Sequence, residues 1–144
     1  MDIKEYLGQI KRADTMIDSK IKELENLRSM RTRVTSTLSA DVVSRTRSTD
    51  PLGDATARIL DLECEINEQI DKFVDLKREV LALLEKVKHE KQYRVLHARY
   101  ILYHTWEHIA DEMGYSYYGV CKLHGRALQT VEKIMREEAK NNAV

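Results

Sequence analysis

The segment Ala55–Val87, ATARILDLECEINEQIDKFVDLKREVLALLEKV, decides the fold. Ile59, Ile66, Phe73, Val80 and Val87 recur every seven residues. Leu62, Leu76 and Leu83 fill a second position three residues on, with Gln69 the exception, and Ile70 and Leu84 widen the stripe. Two apolar positions in each seven-residue repeat gather on one side of an α-helix. The pattern predicts a long amphipathic helix of coiled-coil type.

Upstream the same rhythm is present. Ile3, Ile10, Ile17, Leu24 and Leu38 share one register, interrupted by Arg31. Tyr6, Ala13, Leu27 and Val34 fill the second, with Lys20 as the misfit, and Leu7 and Ile21 widen the stripe. Between the two stripes, Ser39 to Asp54 holds Thr46, Ser48, Thr49, Asp50, the only proline (Pro51) and Gly53, with no periodicity. It reads as a loop, with Asp54 a candidate cap for the helix that follows. Each stripe runs for about five heptads, roughly 50 Å of helix. Two stripes of equal length are satisfied by folding back on each other or by pairing with another copy of the chain. Residues 1–91 are read as the first of these, an antiparallel helical hairpin with loop 39–54. One seam leaves Leu7, Ile21, Ile70 and Leu84 as apolar edges for a partner, which favours a homodimer through the coiled coil.

Composition agrees. The 144 residues carry 33% charged and 6% aromatic side chains with one proline and five glycines, too few breakers for an all-β sandwich. Lys+Arg and Asp+Glu are both 24, which excludes binding to nucleic acid by bulk charge. The sequence has no apolar run of membrane-spanning length, and Met1-Asp2-Ile3-Lys4-Glu5 lacks the layout of a secretion signal. Cys64 and Cys121 form no CxxC motif and read as reduced thiols, so a cytoplasmic location is expected.

Downstream of Lys91 the heptad stops. Residues 92–103 read as a helix. Thr105 is positioned to cap a short helix from Trp106 to Met113, Gly114 to turn the chain, and Ser116 to cap a final helix from Tyr117 to about Ala139. Helix, glycine turn and helix at this spacing form a helix-turn-helix. Ile109 and Met113 face a core, Ala110 is small where the second helix crosses, Gly114 accepts a left-handed turn, and Val120 and Leu123 bring the second helix back to the core. The expected fold class is therefore all-α: a long antiparallel helical hairpin (coiled coil) followed by a C-terminal helix-turn-helix bundle over residues 92–144.

Arg94-Val-Leu-His-Ala-Arg-Tyr100, Thr105-Trp-Glu-His-Ile-Ala110, Gly114-Tyr-Ser116, Val120, Leu123-His124 and Arg126-Ala127-Leu128 carry a family resemblance. Over about 40 residues they resemble region 4 of the sigma-70 family, which reads the promoter −35 element. The front end is unlike a sigma factor. Short proteins with a coiled coil before such an end recur among phage and prophage regulators of Gram-positive bacteria. The resemblance implies a transcription regulator that binds double-stranded DNA and acts with RNA polymerase. By position it implies phosphate contacts from Thr105, Ser116 and Arg126, and base reading from Tyr117, Tyr118, Cys121 and Lys122. Sigma factors usually carry Arg and Glu where this chain has Tyr117, Tyr118 and Cys121, and His108 replaces an acidic residue, so a target other than the usual −35 sequence is expected. The alternative is a docking module for RNA polymerase or another regulator. Residues 92–144 hold seven Lys/Arg against six Asp/Glu, a small excess for a DNA reader.

Other patterns carry blander readings. Tyr93, Tyr100 and Tyr103 read as core and rim aromatics. Arg28, Arg31, Arg33, Arg45 and Arg47 read as a solvated helix end. Neither a glycine-rich phosphate loop nor a nucleophile motif is present, so no enzyme, catalytic residue or cofactor is expected. His104-Thr-Trp-Glu-His108 matches the HxxEH pattern of zinc peptidases. Thr105 caps the helix, which leaves His104 outside it and breaks the shared face, so no metal is expected there.

Overall fold

The computed structural model describes residues 2–40 and 50–143, with side chains at 2–36 and 50–143. It contains five helices in those residues: α1 (Ile3–Ala40), α2 (Pro51–Glu85), α3 (Glu90–Tyr100), α4 (Trp106–Met113) and α5 (Tyr117–Asn142). The fold is all-α, a long helical hairpin followed by a helix-turn-helix bundle. The basic residues Arg45 and Arg47 and most of the expected 39–54 loop lie outside the described residues.

The described end of that loop is a correction. Pro51 to Asp54 form the first turn of α2. Asp50, not Asp54, holds the helix start: its carboxylate accepts from the Gly53 N–H at 3.0 Å, and its carbonyl accepts from the Asp54 N–H. Pro51 occupies the first helical position, where its missing N–H costs nothing. A Cβ on residue 53 would lie 2.2 Å from the Asp50 carboxylate, so any other residue there would have to shift that side chain.

The chain forms two compact units, Ala13–Lys72 and Met1–Arg12 with Phe73–Val144. In the first, Leu24, Ile59 and Ile66 are buried, with Leu27 and Leu62 packed on them. Lys20, the misfit of its heptad, is half-buried and pairs with Glu65 at 3.0 Å, and Arg28 pairs with Glu63 at 2.7 Å. These pairings are those of an antiparallel hairpin.

In the second unit the start of α1 and the end of α2 share one core with the three shorter helices. Ile3, Leu7, Ile10, Val80, Leu83, Leu84 and Val87 are buried in the same cluster as Val95, Leu96, Ile109, Val120, Ala127 and Val131. The boundary drawn at residue 91 therefore falls inside a compact unit. Leu7 and Leu84, expected as free edges, are fully buried, whereas Ile21 and Ile70 stay 36% and 37% exposed. Tyr6 donates to Glu79 at 2.7 Å, and Lys86 pairs with Glu138.

The long helix α2 ends at Glu85, six residues before the expected limit. The Lys86 and Val87 N–H groups bond three residues back, to Leu83 and Leu84, which tightens the last turn. Val87 stays buried, and His89 starts α3 by accepting from the Gln92 N–H through its ring at 3.4 Å. Among the described residues, no helix is long and apolar enough to cross a membrane.

Candidate nucleic-acid interface

The helix-turn-helix is built by local bonds that the residue types dictate. Thr105 has extended backbone, and its hydroxyl accepts from the His108 N–H at 3.2 Å. Ser116 does the same for the Gly119 N–H at 3.0 Å. Each cap contributes about 1 kcal/mol by satisfying an amide that the helix leaves free. Between them Gly114 is left-handed, with φ 68° and ψ 31°. Its N–H bonds back to the Asp111 carbonyl, and the Tyr115 N–H to the Ala110 carbonyl. This paired closure needs a positive φ at the glycine.

Ile109, Val120, Ala127 and Val131 are fully buried and hold α4 and α5 in the core. The opposite face of α5 is open. Tyr117 and Tyr118 are 54% and 69% exposed, so both of the tyrosines after the cap point outward. Lys122 and Arg126 are exposed, and Cys121 is half-buried. The Lys122 ammonium lies 5.2 Å from the Tyr118 ring centroid, which presents the aromatic and the charge together. The charge of the nearby Cys121 sulfur raises the Tyr117 pKa above its ordinary range. The structure thus brings Tyr117, Tyr118, Cys121 and Lys122 onto the first turns of α5, with Ser116 at its start and Arg126 one turn beyond. Thr105 stands at the start of α4, exposed.

The tyrosines expected in the core and at its rim are there. Tyr100 is buried, and Tyr93 and Tyr103 are half-buried against the core. Three groups that the sequence left without a role gather behind the interface. His124 is buried and meets the Tyr100 hydroxyl at 2.6 Å through Nε2. Its ring stands edge-on to Trp106 at 4.6 Å, and the Arg99 guanidinium covers Trp106 at 4.2 Å. Burial, reinforced by Lys4 and Arg99, pushes the His124 pKa down to about 4. Burial likewise pushes the Tyr100 hydroxyl up to about 12. His124 is therefore neutral at pH 7 and acts as a polar link between α3 and α5.

A second constellation corrects the reason given for expecting no metal. His104 does lie outside α4, but the chain turns it back onto the helix. Tyr103 is left-handed at φ 61°, the His104 N–H bonds the Ala98 carbonyl at 3.0 Å, and Arg99 holds the His104 carbonyl at 3.0 Å. The His104 and His108 rings then meet edge to face, 4.3 Å apart. Glu112, one turn further, lies 3.2 Å from His108 Nε2 and 3.6 Å from His104 Nδ1. The three residues each offer a ligand atom, all within 4.8 Å of one another. The readable signal was the spacing of four between 104, 108 and 112. The HxxEH pattern instead draws attention to Glu107, which is not a member of this group.

No protein-family model, curated protein or solved structure matches the chain.

Proposed function

We propose that the protein is a sequence-specific DNA-binding transcription regulator of the phage or prophage type, working with RNA polymerase in the cytoplasm. The observation that carries this reading is the open face of α5. Ser116, Tyr117, Tyr118, Lys122 and Arg126 are all exposed on a helix whose other face is anchored in the core. A helix-turn-helix places such a face in the major groove, with its cap at the phosphates. Aromatic edges and a lysine are suited to base edges, and an arginine one turn on is suited to phosphate. The likeness of residues 94–128 to sigma-70 region 4 supports the same orientation.

The small net charge of residues 92–144 supports assembly as part of the mechanism, since a single weakly charged reader gains affinity when two are linked. The reading includes a homodimer. Met16, Ile21, Leu60 and Ile70 are exposed apolar residues on α1 and α2 within residues 13–72 that a second copy would cover. Light scattering at tens of micromolar should then give twice the chain mass.

The deciding experiment is a gel shift with the protein's own upstream DNA and with random DNA at two salt concentrations. Preference for the specific fragment that persists at the higher salt supports DNA reading. Equal, salt-abolished binding to both fragments, together with capture of RNA polymerase, moves the same face to the docking alternative.

A further inference from the structure

We propose that His104, His108 and Glu112 form a binding site for one divalent transition-metal ion of the zinc class. The proposal does not depend on the DNA reading.

The donor set is suited to the ion. Two imidazoles and one carboxylate are a common three-residue zinc ligand set, and they leave a position for water. Hard ions such as magnesium prefer all-oxygen sites, so the imidazoles select for zinc, cobalt or nickel.

The spacing fits as well. In a tetrahedral site with bonds of about 2.0–2.1 Å, neighbouring donor atoms stand about 3.3 Å apart. His108 Nε2 and Glu112 Oε1 are 3.2 Å apart, His104 Nδ1 and the other carboxylate oxygen, Glu112 Oε2, are 3.6 Å apart, and the ligand atoms of the three residues all lie within 4.8 Å of one another, so small side-chain rotations bring them onto one ion. The second distance is too long for a hydrogen bond. It is a suitable separation for two atoms sharing one ion.

A further observation points to a ligand. His104 Nδ1 is buried and has no hydrogen-bond partner. Leaving a buried nitrogen unsatisfied is unfavourable, and a coordinated ion removes that cost. The ring is held in this place at the backbone, through the left-handed Tyr103 and the bonds of the His104 N–H and carbonyl. The nitrogen is therefore positioned by the chain rather than by its own hydrogen bonding.

The ligands span the connection after α3, the first turn of α4 and the last turn of α4. A bound ion would clamp the first helix of the helix-turn-helix to the residue that leads into it. It would stabilise the folded chain, because the unfolded chain presents no preformed site.

The test uses the untagged full-length chain, stripped with a chelator and titrated with zinc chloride alone in a calorimeter. One ion per chain and a higher Tm in the presence of zinc are expected. His104→Ala, His108→Ala and Glu112→Gln should each weaken uptake by more than the roughly 10–100-fold typical of losing an outer-shell partner. Cobalt chloride should give visible absorption bands of a low-coordinate site, absent in His108→Ala. His108 and Glu112 are about half exposed, so circular dichroism of those variants without metal should match the parent. Absence of uptake by the parent chain, or uptake unchanged in the three variants, would overturn the proposal.

Discussion

Lys122 and Arg126 stand four residues apart on α5 and share its exposed face. Lys122 is a turn nearer the helix start than Arg126, so a helix seated in a major groove would bring Lys122 to base edges and Arg126 to the backbone. On the DNA-reading proposal, Lys122→Ala should weaken the specific site more than random DNA, by ~1–3 kcal/mol. Arg126→Ala should weaken both alike and reduce the salt slope by roughly one. Fluorescence anisotropy over a salt series separates the two, and equal losses on specific and random DNA for Lys122→Ala would remove its base-reading role. His124 acts in the core rather than on the exposed face of α5. Its folded pKa of about 4 lies below the ordinary 6.5, so the unfolded chain takes up the proton first. Stability owed to neutral His124 is complete above pH 6.5 and falls as pH drops from 6.5 towards 4. The slope is at most about 1.4 kcal/mol per pH unit. Urea midpoints at pH 7 and pH 5 should differ in the parent chain, and His124→Gln should shrink that difference. An unchanged difference would mean that other groups carry the acid sensitivity.

At the scale of elements, glycine has opposite meanings at two places in the helix-turn-helix. Gly114 has φ 68°, and a Cβ there would meet no atom within 4 Å. Gly114→Ala therefore tests backbone strain alone and should cost ~1–2 kcal/mol. Gly125 lies inside α5, is exposed, and also leaves space for a Cβ. Gly125→Ala should stabilise by roughly 0.5–1 kcal/mol, through helix propensity and a less free unfolded chain. Chemical denaturation reads both; equal signs would contradict the assignment of Gly114 to the turn. The end of α2 shows what periodicity cannot supply. The heptad continues to Val87, yet the helix ends at Glu85 with neither glycine nor proline at the break. A histidine ring starts the next helix, a residue type seldom read as a cap. The register remained visible because Val87 is still buried, while the backbone beneath it had already left the helix.

At the scale of the whole molecule, the two units differ in how much apolar surface they hold. Residues 13–72 bury a small seam around Leu24, Ile59 and Ile66, whereas the other unit buries the larger cluster that includes Trp106's neighbours on α3 and α5. A small seam loses a larger share of its stability when one member is removed. Ile66→Asp puts a charge into that seam at a cost of several kcal/mol. Far-ultraviolet dichroism should fall as part of residues 13–72 loses helix, while Trp106 fluorescence keeps its folded position and its melting temperature. Simultaneous loss of both signals would show that the units unfold as one.

The sequence by itself determined where the helices lie, their ends apart, and which side of each helix is apolar. Ile10, Ile66 and Val80 are buried as their heptads require, and Thr105, Gly114 and Ser116 cap and turn where their side chains and φ angle allow. These are local properties, set by spacing of three, four and seven residues. The candidate DNA face was legible for the same reason, since it is what remains of α5 after its apolar side is assigned. Tertiary structure alone decided what covers each apolar side. Periodicity marks a stripe but does not name its partner, so Leu7 and Leu84 were read as free edges and are buried in the core shared with α3, α4 and α5. Contacts between distant residues were equally hidden. Tyr100 and His124 meet across 24 positions of sequence. His104 joins His108 and Glu112 only because Tyr103 takes a backbone angle that its residue type disfavours and that the surrounding bonds impose.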